Sequence, residues 1–122
     1  MLNPELFKIG SQLGCLAAAL KMSKSVLIDL LRFIEEIPSE DVALKSSLIF
    51  VKRMELRGVM KSEWISFFSS MVKDLSYKKR AKAKLISILR IAILIHKVLG
   101  TGVSAEICKD LDMNKLLSYL SG

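Results

Sequence analysis

The chain has little from which to build a catalytic or metal centre. Among its 122 residues there is one histidine, His96, and two cysteines, Cys15 and Cys108, which lie far apart with no zinc-type spacing. His96 sits near the end of a helical stretch, where a lone histidine reads as a capping or packed side chain rather than a general base. Glu35-Glu36 and Glu40-Asp41 bracket Pro38 and read as helix-end and cap carboxylates, not as an acid–base pair. No glycine-rich phosphate loop or dinucleotide fingerprint is present. The chain therefore reads as no enzyme, with no cofactor and no metal.

Other shortages bound the architecture. Aromatic residues make up 7% of the chain, and no stretch alternates apolar and polar residues with period two, which excludes a sheet protein. The most apolar run, Leu85 to Ile95, is broken by Arg90 and is shorter than the roughly 20 residues that span a bilayer. The N-terminus has no basic region followed by an apolar stretch and a cleavage site. A cytoplasmic protein with no membrane partner is the expectation. Each cysteine lies among apolar neighbours at helical spacing, so buried free thiols in a reducing compartment are expected rather than a disulfide.

What is present is apolar and helix-forming. Hydrophobic residues reach 52% and mean hydropathy is +0.41, which excludes disorder and leaves apolar surface for a partner to cover. Asn3-Pro4-Glu5 starts a first helix running to about Lys21. On it Gly10, Gly14 and Ala18 recur every four residues, a smooth stripe for close approach of another helix. A second helix covers about Val26–Ile37 and is stopped by Pro38. A third, about Asp41–Leu56, ends at Arg57-Gly58. The fourth starts at Ser62-Glu63 and ends near Tyr77. The fifth, about Lys79–Leu99, is the most apolar and reads as the central one, closed by Gly100-Thr101-Gly102. Two short helices, about Ser104–Leu111 and Asn114–Leu120, finish the chain. The fold class is all-α: a single domain, residues 1–122, built as a helical bundle of five main helices and a short C-terminal pair.

The charge is unevenly placed. Net charge is −2 over residues 1–41, +10 over 42–97 and −1 over 98–122. A concentrated positive middle attracts polyanions, chiefly nucleic acid or an anionic membrane. Arg80, Lys84, Arg90 and Lys97, with Ser87, fall on one side of the fifth helix and predict a cationic stripe. Lys78, Lys79, Arg80 and Lys82 gather at its start, where positive charge opposes the helix dipole at a cost of about 0.3–1 kcal/mol per group. Lys45, Lys52, Arg53, Arg57 and Lys61 form a second set on the third helix and the turn after it. These twelve cations are the candidate nucleic-acid contacts. Trp64, Phe67, Phe68 and Tyr77 could stack on bases, but their spacing is that of a helix core. Backbone binding with little sequence preference is expected.

Leu6-Phe7-Lys8-Ile9-Gly10-Ser11-Gln12-Leu13-Gly14 followed by Leu16-Ala17-Ala18-Ala19 resembles the glycine-bearing helix at the helical C-terminal end of the large subunit in some type I CRISPR effector complexes. Phe50-Val51-Lys52-Arg53-Met54-Glu55-Leu56-Arg57-Gly58-Val59-Met60, leading to Leu75-Ser76-Tyr77, is similar to the stretch that succeeds that helix in the large subunit. That region is equivalent to the separate small subunit of Cascade-type complexes. The resemblance covers about residues 5–77. It implies a non-enzymatic subunit, present in several copies beside other subunits of an effector complex. Such a subunit would hold single-stranded DNA or an RNA–DNA hybrid through phosphates, and Lys52, Arg53 and Arg57 carry over to that role. Two other readings stand beside it. The C-terminal pair from Val103 to Leu117 has the rhythm of a helix-turn-helix, as in a dimeric DNA-binding regulator, although the segment is net negative. The apolar helix faces also suit a structural adaptor.

Overall fold

In a computed structural model, which describes residues 3–121, local sequence signals account for most of the helix starts. The helices are α1 (Pro4–Ala19), α2 (Lys24–Glu35), α3 (Glu40–Leu56), α4 (Ser62–Leu75), α5 (Ala81–Leu99) and α6 (Met113–Ser121). A single 3-10 turn at Ala105–Cys108 precedes α6. No strand occurs among the described residues, and the fold is an all-α bundle. The Asn3 side chain accepts from the amides of Glu5 and Leu6, and Ser23 and Ser39 cap α2 and α3 in the same way. Pro4 at the first position of α1 gives up an amide that had no helical partner. α1 stops at Ala19, slightly short of the expected Lys21, because Lys21 takes a left-handed φ of 58°.

α5 is the central helix and packs against α1, α2, α3 and α4. Its closest neighbour is α1, which runs parallel to it. Gly10 lies over Ile88 and Ile91, Gly14 lies over Ala92, and Glu5 reaches Lys78 just ahead of α5. A Cβ on Gly14 would stand 2.9 Å from the Ala92 Cα and closer still to its carbonyl oxygen. The stripe of small residues is thus the seat of the main interhelical contact, where tight packing offsets the roughly 1 kcal/mol that each helical glycine costs against alanine.

The remaining helices close around this pair. Trp64 of α4 is fully buried, stacks on Phe68 with centroids 5.1 Å apart, and donates from Nε1 to the Leu13 carbonyl at 3.0 Å. Phe33 of α2 meets Phe50 of α3 at the same separation. Buried His96 donates from Nε2 to the Met22 carbonyl at 2.7 Å, joining the end of α5 to the turn before α2. Its role is therefore packing and chain-end satisfaction.

The cysteines correct the expectation drawn from sequence. Cys15 and Cys108 are joined in a disulfide with Cα atoms 5.5 Å apart, and no free cysteine remains among the described residues. The bond clasps the C-terminal segment onto α1. Around it Ala18, Ile95, Val103, Leu111 and Leu116 form a small second core, and Gln12 donates to the Lys109 carbonyl at 2.8 Å. Apolar surroundings suit a disulfide as well as a thiol, so the environment of each cysteine in sequence could not distinguish the two. The ground for a reducing compartment goes with the thiols. Among the described residues no helix is long and apolar enough to cross a membrane.

Candidate nucleic-acid interface

The twelve candidate cations divide into groups with different surroundings. On α5 the expected stripe is partly tied down. Arg90 reaches Glu35 of α2 at 2.8 Å, and Lys82 donates to the Ile37 carbonyl past the end of α2. Lys84 is half-buried, while Lys97 is exposed near the far end of the helix. Leu94, which is exposed, lies between the positions of Arg90 and Lys97 along the helix. The arrangement is two cationic edges around a mixed surface, not one continuous track. Exposed pairs such as Arg90–Glu35 contribute about 0–1 kcal/mol, so this arginine could be released to a stronger anion.

The α4–α5 turn is more concentrated. Lys78, Lys79 and Arg80 are all exposed, and only Lys78 has an ion-pair partner there, Glu5 at 3.6 Å. Tyr77 heads this run and is 91% exposed. The other candidate aromatics went to the interior: Trp64 and Phe68 are buried and Phe67 is half-buried. Tyr77 escapes because α4 ends at Leu75, the last residue of that helix to face the core. The turn therefore places one free aromatic ring next to three cations, the combination that takes up a single strand by stacking and charge.

Arg80 carries a second peculiarity. It occupies the N-cap position of α5 with φ 56° and ψ 40°, a left-handed conformation that a non-glycine residue adopts at a cost of about 1–2 kcal/mol. No side chain caps the helix there, and its first turn contains no acid. Arg80→Gly is expected to raise stability by about 0.5–1 kcal/mol, measured by urea denaturation. A variant less stable than the parent would mean that the arginine side chain makes a compensating contact.

On α3, Lys45, Lys52, Arg53 and Arg57 are exposed, as is Lys61 after it, and Lys52 pairs with Glu55 at 3.3 Å. The expected first limb of a C-terminal helix-turn-helix is one 3-10 turn pinned by the disulfide. α6 after it presents Asn114, Lys115, Ser118 and Tyr119 among exposed aliphatic residues. Among the described residues no three His, Cys, Asp or Glu side chains are grouped as a metal ion would need. Comparison with protein-family models, with curated proteins and with solved structures found no match.

Proposed function

We propose that this chain is a non-enzymatic nucleic-acid-binding protein that holds a single strand through its phosphates and works as one subunit of a larger assembly. The observation that carries this reading is the α4–α5 turn, where exposed Tyr77 adjoins Lys78, Lys79 and Arg80. A phosphate backbone accounts for the cations, and a base face accounts for an aromatic ring left in water. The net charge of +10 over residues 42–97 steers a polyanion toward that surface from beyond contact distance. Within this reading, the finer assignment is a multi-copy small subunit of a Cascade-type CRISPR interference complex, holding target or displaced DNA while guide pairing supplies specificity. It rests on the sequence resemblance over residues 5–77, where Lys52, Arg53 and Arg57 match. A subunit of this kind gains affinity from neighbouring copies, so one chain alone should bind weakly and with dependence on strand length.

The test is fluorescence anisotropy with labelled single-stranded DNA, duplex DNA and RNA of equal length, in a salt series. Single strands should bind best, with affinity falling steeply as salt rises. Tyr77→Ala should weaken binding by roughly 5- to 100-fold, the worth of one stacked base. Lys79→Glu/Arg80→Glu should remove most of the salt dependence. If neither variant differs from the parent, the turn is not the site. A preference for duplex with a defined footprint would favour the dimeric regulator instead.

A further inference from the structure

The cations of α3 stand in a different setting from those of the α4–α5 turn. At 100° per residue, Leu56, Ile49 and Val42 occupy adjacent positions along the middle of the helix's outer face. They are 88%, 55% and 51% exposed, respectively. Lys45 and Lys52 run along one flank of this aliphatic line, and Arg53 and Arg57 along the other, all four exposed. No carboxylate falls within this arc of about 140°. Glu55 lies outside it, half-buried, with Lys52. The opposite side of α3 is committed to the core through Ala43, Leu44, Ser47 and Val51.

A phosphate backbone explains the cations here but offers nothing to three aligned aliphatic side chains. The boundary between headgroups and acyl chains in an anionic bilayer satisfies both. The apolar centre enters the acyl edge, while lysine and arginine on both flanks lie against it by their stems and reach outward to lipid phosphates. We propose that the outer face of α3 is a docking surface for an anionic lipid membrane, with the helix lying in the plane of the surface. The match of charge is specific to that occupant, because the face holds four cations and no acid, and a neutral lipid or an apolar protein groove would leave them unpaired. The expectation of no membrane partner rested on the lack of a spanning run, and a run of that length is not needed for a helix that lies on the surface. This docking does not depend on the nucleic-acid reading of the α4–α5 turn, since the two surfaces use different residues.

The test is flotation of the purified protein with vesicles of phosphatidylcholine alone and with about a third phosphatidylglycerol. The protein should float with the anionic vesicles and not with the neutral ones. Ile49→Gln/Leu56→Gln keeps every cation and should cut partitioning by roughly tenfold or more. Lys52→Glu/Arg53→Glu should abolish it. Leu117→Gln, on the exposed aliphatic side of α6, should leave it unchanged. All these positions are exposed, and a circular-dichroism melt of each variant checks that the fold is kept. Three results would overturn the proposal. These are no flotation at low salt, equal flotation with neutral vesicles, and flotation that survives loss of Ile49 and Leu56 while the charge variant abolishes it. The last result would make α3 a general polyanion surface. Single-stranded DNA binding by Ile49→Gln/Leu56→Gln separates the two readings, because it should match the parent whichever way the vesicle result falls.

Discussion

Gly14→Val is expected to lower stability by about 3–5 kcal/mol, and Gly14→Ala by about 2–4 kcal/mol despite the better helix propensity of alanine. The reason is what a Cβ meets. At Gly14 it meets the Ala92 backbone, with the Cα 2.9 Å away, and backbone in the middle of a helix cannot move aside without moving the whole of α5. Gly10 gives a built-in comparison. There the nearest atom is the Ile91 Cγ2 at 2.6 Å, on a side chain able to change rotamer, so Gly10→Ala should cost less. Gly102→Ala should be close to neutral, because nothing lies within 4 Å of the position its Cβ would take. Thermal melts of the three alanine variants should fall in that order, with Gly14→Ala lower than the parent by on the order of 10 °C. A Gly14→Ala protein melting with the parent would refute the close parallel approach of α1 and α5.

Reducing the Cys15–Cys108 bond, or replacing Cys108 by serine, should cost about 2–5 kcal/mol, and the loss should be uneven along the chain. The bond closes a loop with a sequence separation of 93, long enough for the constraint on the unfolded chain to be near the upper end of that range in the loop-entropy account. Beyond Gly102 the buried residues are Val103, Cys108, Leu111 and Leu116, and the segment's side-chain tie to α1 besides the disulfide is Gln12 to the Lys109 carbonyl. Without the clasp, that is a small apolar area to hold against the entropy of ordering the segment. Amide exchange followed with and without a dithiol reductant should show residues 103–121 losing protection, while α2 and α3 keep theirs. Uniform loss across all helices would mean that the bond holds the global fold instead. No change would mean that the second core suffices by itself.

Much of the architecture was legible before any tertiary contact was known. Asn3-Pro4-Glu5, Ser39-Glu40-Asp41 and Arg57-Gly58 marked helix ends that the structure places within a residue or two, because caps and stops are local hydrogen-bonding and backbone matters. The spacing of Gly10, Gly14 and Ala18 announced a close helix neighbour, and the apolar composition of Leu85 to Ile95 announced the helix that supplies it. The candidate site was legible only in part. The excess of cations could be counted, but which of them stand free could not. Arg90 and Lys82 are occupied by Glu35 and the Ile37 carbonyl, partners 55 and 45 residues distant.

Sequence by itself determined the helices, their ends, the central place of α5 and the sign of the charged surface. These follow from periodicity, capping and composition, which act over one or two turns of chain. Tertiary structure alone decided the Cys15–Cys108 pairing, the exposure of Tyr77 while Trp64 and Phe68 went inside, and the aliphatic line of Val42, Ile49 and Leu56 on the outside of α3. In each case the residue type fits two environments equally well. An apolar setting serves a thiol or a disulfide, an aromatic serves core or stack, and an aliphatic at helical spacing serves either side of a helix. Only the packing of one helix on another removes water from one of the two and leaves it on the other.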